Sequence, residues 1–168
     1  MPTCRAWVMV VSRVADPEKH TPFSAGTEIR RTHPQALEVI GPYDVVVPVE
    51  GASLDDVYDA TKRIAALPTV ASTTVYVSVD PDPRGRGAEA SCCILVGALL
   101  SDVGKAVVEI RDFPEVVLAD LVLGPFDMLV MARIKLTELS GLLRRLIGVR
   151  GVVRTVTLYE LEEIDHGK

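Results

Sequence analysis

A seven-residue pattern occurs twice in this chain. Residues 41–47 (GPYDVVV) return as residues 124–130 (GPFDMLV), 83 positions later. Both copies are followed by an amphipathic stretch and then by a stretch rich in Val and Thr. The 168 residues are therefore two copies of one module of about 80 residues.

Hydrophobic periodicity predicts the same order in each module: strand, helix, strand, strand, helix, strand. For the first module it predicts strand 5–12, a helix from Thr21 to about Thr32, strands 37–40 and 45–49, a helix capped by Ser53 and stopped by Pro68, and strand 70–79. For the second module it predicts strands 92–98, 116–123, 128–134 and 152–161, and helices 101–111 and 137–147. The predicted domains are residues 1–79 and 91–162, joined by a Pro- and Gly-rich linker over 80–90 and followed by a polar tail over 163–168.

The order βαββαβ is that of the ferredoxin-like, or split βαβ, unit. It predicts an α+β protein with two such modules in tandem, each a four-stranded antiparallel sheet with two helices on one face. The strands carry apolar residues on both faces, so the other face needs a cover. We therefore expect the two sheets to pack face to face as an intrachain pseudo-dimer, an α+β barrel.

Composition excludes several classes of function. The net charge of −5 and the absence of basic clusters argue against direct binding to nucleic acid. No signal peptide or membrane-length apolar run is found, so we expect a cytoplasmic protein that does not bind membranes. The cysteines Cys4, Cys92 and Cys93 have no CxxC spacing, which indicates reduced thiols.

Metal and cofactor chemistry is not predicted either. His20, His33 and His166 have no ligand spacing, and adjacent Cys92 and Cys93 point to opposite faces of their strand. Phosphate-binding glycine loops and nucleophile elbows are missing from the sequence. We therefore expect no metal and no cofactor.

Two aspartates follow the repeated Gly-Pro-aromatic turn. Asp44 and Asp127 could hold the ammonium group of a small molecule, or they could order the turn by accepting backbone N–H groups. Tyr43 and Phe126 precede them and are candidates for packing as well as for ligand contact. Both alternatives remain open for each pair.

Threonines distinguish the second module. Thr155 and Thr157 point to the same side of their strand and could contact the same ligand. The first module has Thr73 but Val75 at the matching positions. A ligand site is therefore predicted in the second module, although β-branched residues also suit a strand without any ligand.

The first module departs from the second around its first helix. Gly41 follows Pro34 by seven positions, whereas Gly124 follows Pro114 by ten in the second module. The shortening is either drift at a sheet edge or the sign of a polar cavity lined by His33, Arg30 or Arg31, Trp7 and Asp44. If the protein is an enzyme, His33 with Asp44 would transfer protons there.

The ordered set of motifs resembles the effector-binding (RAM) domain of the leucine-responsive/AsnC regulators, in the dimeric α+β barrel superfamily. The second module carries it most fully, in segments 114–116, 124–127, 150–152 and 155–157; the first carries 41–44, 68–70 and Thr73. In that family the domain follows a helix-turn-helix domain, which this sequence lacks.

This resemblance implies a stand-alone module that senses an amino acid or related metabolite through Asp127, Thr155 and Thr157, with Phe126, Asp44 and Tyr43 as further contacts. It also implies a homo-oligomer, with a DNA-binding regulator of the same family as a candidate partner. Cofactor-independent monooxygenases and cyclases share the barrel architecture. An enzyme acting on a small substrate therefore remains the alternative, and the sequence does not decide between them.

Overall fold

A computed structural model describes residues 3–13, 25–84 and 89–161 of the chain. The protein is α+β and divides into two compact units, residues 1–77 and 78–168. The first elements are β1 (Cys4–Ser12), α1 (Ala25–Arg30), β2 (Leu37–Ile40), β3 (Val45–Gly51), α2 (Leu54–Ala65) and β4 (Val70–Asp80), whose last three residues lie past the boundary. The elements after it are β5 (Cys92–Ala98), α3 (Val103–Arg111), β6 (Val116–Leu123), β7 (Met128–Ala132), α4 (Leu139–Ile147) and β8 (Val152–Glu160), with a 3-10 turn over Leu136–Glu138 before α4.

The strands of the first unit lie in the order β4, β1, β3, β2, and every neighbouring pair is antiparallel. Val8 of β1 stands between Val47 of β3 and Val75 of β4. Alternate residues of β1 and β3 form the core beneath the two helices, together with Ile29 of α1 and Ile64 of α2. The helices of this unit thus cover one face of its strands.

Helix α2 begins where its sequence predicts. Ser53 accepts a hydrogen bond from the Asp56 N–H at 3.2 Å, and the Asp56 carboxylate accepts one from the Ser53 N–H at 2.9 Å. This capping box satisfies two backbone donors that a helix start leaves unpaired. The helix ends at Ala65, shortly before Pro68, so the predicted cap and stop are both confirmed.

The second unit repeats the strand order as β8, β5, β7, β6, again with antiparallel pairs. All seven residues of β5 are buried, so both of its faces are covered. Ile94 of β5 and Val130 of β7 meet Ile110 of α3 and Leu142 of α4 in the core. Burial raises the pKa of Cys92 to about 12 and that of Cys93 well above its ordinary value.

Several boundaries differ from the predicted ones. Helix α3 begins at Val103 rather than at residue 101, and the last helix starts as a 3-10 turn. Strand β7 stops at Ala132 instead of running to Ile134, because the backbone of Ile134 bonds to the Ser91 hydroxyl through both its N–H and its carbonyl. The predicted helix start at Thr21 lies outside the described residues, as do His20 and His166.

Candidate ligand cleft

The two turn aspartates make the same hydrogen bond. The Asp44 carboxylate accepts the Ser12 N–H at 2.8 Å, and the Asp127 carboxylate accepts the Ala98 N–H at 2.8 Å. Each carboxylate therefore ties its turn to the end of the first strand of its unit. This geometry accounts for the repeat by turn ordering, and contact with a ligand ammonium group stays a prediction for both.

The aromatic residue of the second turn packs against a cation. The Arg154 guanidinium lies 4.3 Å from the centroid of the Phe126 ring and donates to the Pro125 carbonyl at 2.9 Å. The stem of Arg154 lies over Gly97, where an added Cβ would come within 2.8 Å of Arg154 Cγ. Gly97 thus permits the close approach of Arg154. Tyr43, the counterpart of Phe126, is half-buried.

Thr155 and Thr157 lie on the opposite side of β8 from Arg154. Their register partners on β5 are Val96 and Ile94, which belong to the core beneath the helices. The predicted ligand residues of the second unit are therefore divided, since the Phe126 ring meets Arg154 while the two threonines face the helix layer.

His33 lies half-buried in the turn after α1. Its Nδ1 is 2.9 Å from the Thr32 hydroxyl, and burial followed by the nearby charge of Arg63 lowers its pKa. The prediction of a polar cavity around His33 is wrong for one of its lining residues, Trp7. Trp7 alternates with the β1 residues that face the helices, so it lies on the other face of the strands and cannot line a cavity between helix and sheet.

An open cleft of about 560 Å³ lies between α2 and β4 in the first unit. It forms because α2 packs on β3 and β1, while β4 lies one strand further out. Its walls are mostly apolar. The lining residues are Leu54, Val57, Tyr58, Thr61, Lys62 and Ala65 of α2, and Thr73, Val75 and Val77 of β4.

This cleft divides the apolar stripe of α2, whose residues share one face of the helix by their spacing in the sequence. Val57 and Ile64 are buried in the core, whereas Leu54 and Tyr58 are 58% and 63% exposed. A large apolar helix residue that stays exposed beside an apolar strand provides a surface for a ligand or partner.

Polar groups are few in this cleft. The Thr61 hydroxyl donates to the Val57 carbonyl at 2.9 Å and is therefore satisfied within the helix. Lys62 Nζ lies 2.9 Å from Asp59 Oδ1 and 4.8 Å from the centroid of the Tyr58 ring. The hydrogen bond from Lys62 to Asp59 raises the Lys62 pKa, so the ammonium is charged.

The equivalent space in the second unit is occupied more fully by side chains. Thr155, Thr157 and Tyr159 occupy the positions on β8 that Thr73, Val75 and Val77 occupy on β4, 82 residues earlier. The Tyr159 side chain is buried and donates its hydroxyl to the Ile134 carbonyl at 2.6 Å. A tyrosine thus replaces a valine at one end of the equivalent space.

Two buried carboxylates, those of Asp82 and Asp120, were not predicted from the sequence. Asp82, in the predicted linker, is 1% exposed and accepts hydrogen bonds from the Arg84 guanidinium and the Ala119 N–H. The Asp82 N–H donates to the fully buried carboxylate of Asp120 at 2.7 Å, and the Ser78 hydroxyl donates to its other oxygen. Asp120 stands among the apolar residues of β6, and this position was the signal in the sequence. A carboxylate buried there needs hydrogen-bond donors from other segments of the chain.

A second hollow, of about 600 Å³, lies in the second unit beside the ends of β7 and β8. Its walls carry both signs of charge, and Arg133 pairs with Glu89 at 3.1 Å. The described part of the chain contains no group of three or more His, Cys, Asp or Glu placed to hold a metal ion. It also contains no helix with both the length and the apolar character needed to cross a membrane.

Comparison with known proteins gives a distant structural likeness. No family model matches the chain, and no curated protein is significantly similar to it. A solved structure described as that of a major regulator of staphylococcal pathogenesis aligns with 94% of this chain and 99% of its own, at 10% identity and a TM-score of 0.47. A likeness of this extent carries no argument about function.

Proposed function

We propose that this protein is a small-molecule-binding module with a regulatory role, and that the cleft between α2 and β4 is its binding site. The observation that carries this proposal is the cleft itself, whose volume of about 560 Å³ suits a small organic ligand. Leu54, Val57 and Val75 supply the apolar surface that such a ligand would bury. Thr155 and Thr157 mark the equivalent place in the second unit as a further candidate site.

The finer assignment of the fold belongs to the same proposal. The repeated strand order and the repeated aspartate turn support two ferredoxin-like modules of the RAM type. Packing of the two sheets face to face, self-association and partnership with a DNA-binding regulator of the same family stay predictions. An amino acid or related metabolite is the ligand class that the resemblance implies.

The enzymatic alternative finds less support in this site. His33 and Asp44, which the sequence nominates for proton transfer, do not line the cleft. Asp44 is also occupied by the Ser12 N–H. The cleft therefore does not supply the acid–base pair that the alternative requires, and binding without chemistry is the simpler function for it.

A thermal-shift screen of amino acids and small metabolites tests this proposal. A ligand present at about 100 times its dissociation constant should add about 2.7 kcal/mol to the free energy of unfolding. Ala65→Trp should abolish the shift, because the indole would occupy the cleft. Ala66→Trp is the matched control, since Ala66 is also exposed but does not line the cleft.

Two results would contradict the proposal. One is a screen in which no compound shifts the melting temperature. The other is a shift that Ala65→Trp leaves unchanged, which would place the ligand elsewhere. Thr157→Val, which removes one hydroxyl with little change of shape, then tests the place in the second unit.

A further inference from the structure

The cleft between α2 and β4 has two different ends. Gly51, three residues before α2, pairs with Cys4, and Val77 pairs with Ala6, so the start of α2 and Val77 lie at the same end of the first unit. Thr73 pairs with Val10 at the other end. From Leu54 to Lys62 the helix rises about 12 Å, and the cleft runs over a comparable length of β4.

The charged residue of the cleft lies in the half of α2 that is nearer to Thr73. Among the described residues that line it, Lys62 alone is charged, and its ammonium turns back along the helix to the Tyr58 ring and the Asp59 carboxylate, which hold it at the rim. Asp59 itself is not among the lining residues. At the other end the walls are Leu54, Val57 and Val77, which offer no charge.

A ligand that fits this arrangement has an anionic head and an apolar tail. The head would accept hydrogen bonds from the Lys62 ammonium and the Thr73 hydroxyl, which are both donors. The tail would bury itself between helix and strand, where each CH₂ removed from water contributes about 0.8 kcal/mol gross. A zwitterionic amino acid fits less well, because the described residues that line the cleft include no carboxylate to pair with its ammonium group.

We propose that the cleft binds a medium-chain aliphatic carboxylate, with its carboxylate at Lys62 and Thr73 and its chain directed toward Leu54 and Val77. This inference rests on the proposed function and names the ligand class of the same site. The second unit also has a helix cation and a strand threonine at the corresponding positions, since Arg144 and Thr155 stand 82 residues after Lys62 and Thr73.

The test compares head groups on one chain length. Isothermal titration and thermal shift are measured on the whole chain with octanoate, octanol and octylamine, each below its micelle concentration. Octanoate should bind most tightly, octanol more weakly, and octylamine should not bind. Decanoate should bind more tightly than octanoate as long as the cleft accommodates the added carbons.

Two variants of the rim separate charge from packing. Lys62→Met keeps the aliphatic stem and removes the ammonium, so octanoate should bind about tenfold more weakly while octanol binding stays unchanged. Asp59→Asn frees the same ammonium from its partner, so octanoate should bind as tightly as before or more tightly. Ala65→Trp should abolish binding of both compounds, and Ala66→Trp should leave both intact.

Each contrary result has a distinct meaning. Equal binding of octanoate by the wild type and by Lys62→Met would overturn the placement of the carboxylate. Binding of amino acids in the cleft without binding of octanoate would overturn this inference and leave the proposed function standing. Self-association that Ala65→Trp abolishes, with no binding of any small molecule, would make the cleft a contact between copies and overturn both.

Discussion

Asp44 and Asp127 occupy the same place in the two repeats, and each accepts one hydrogen bond from a backbone N–H. A carboxylate that accepts a backbone N–H across a turn fixes where the chain leaves one strand and enters the next. The motif could be predicted from sequence, but its role could not, because an aspartate at such a turn suits both a ligand and the backbone. The 2.8 Å bonds from the Ser12 and Ala98 N–H groups show the backbone role, while contact with a ligand stays a prediction.

Replacing Asp127 by alanine should destabilise the second unit by about 1–2 kcal/mol, because the N–H of the buried residue Ala98 would lose its acceptor. Asp127→Asn keeps an acceptor oxygen and should cost less. Urea denaturation followed by circular dichroism measures both. Equal losses for the two variants would show that charge, rather than the hydrogen bond, stabilises the turn.

Asp82 should make stability depend on pH in the acid range. Burial opposes its ionisation, but hydrogen bonds from Arg84 and the Ala119 N–H outweigh that effect and lower its pKa from 3.8 to about 2. The folded state therefore favours the carboxylate. This stabilisation, up to about 2 kcal/mol, is fully present above pH about 4 and is lost as the pH falls toward 2.

The measurement for Asp82 is the free energy of unfolding between pH 2 and pH 6. The wild type should lose stability on acidification more steeply than Asp82→Asn, which is already weakened at neutral pH. Asp55→Asn, in an exposed position of α2, serves as the control for a general change of charge. If the free energies of unfolding of wild type and Asp82→Asn fall in parallel with pH, Asp82 is not the cause of the pH dependence.

Helix α2 shows how far periodicity carries a prediction. Its cap, its end and its apolar stripe all follow from the sequence, because each depends on neighbouring residues. Periodicity identifies the residues that share a face, but it does not tell whether the neighbouring strand extends far enough to cover them. Val57 and Ile64 are covered, while Leu54 and Tyr58 border a cleft.

The burial of Asp82 was missed for a related reason. It lies in the predicted linker over 80–90, which lacks a periodic pattern because it is rich in Pro and Gly, and it is buried within the second unit. Its partners Ala119 and Asp120 lie nearly 40 residues further along the chain. Contacts of that separation are set by tertiary structure, which local composition does not report.

The capping box of α2 gives a test of how much this helix depends on its own sequence. Ser53→Ala removes the acceptor for the Asp56 N–H and should destabilise the first unit by about 1 kcal/mol. Ser53→Asp restores a capping oxygen and should recover most of the loss. Thermal denaturation of the three proteins provides the comparison, and an unaffected Ser53→Ala variant would mean that packing alone fixes α2.

The net charge of the whole chain predicts how strongly it binds nucleic acid. With a net charge of −5 and no basic cluster in its sequence, the protein is expected to displace few counterions from a phosphate backbone. We therefore expect no salt-dependent binding to duplex DNA at micromolar protein. Fluorescence anisotropy at 50 and 200 mM salt would detect such binding, and an affinity that falls steeply between the two would contradict the expectation.

Burial of Cys92 and Cys93 has a consequence for kinetics. A thiol reacts with an alkylating or disulfide reagent only when it is ionised and exposed to solvent, and neither condition holds for these two in the central strand of the second unit. Labelling at these positions would therefore proceed only as fast as β5 opens. Half-buried Cys4 lies at the start of β1 and would react on its own timescale. The labelling rates of the native cysteines would therefore report the local opening of each half of the chain separately.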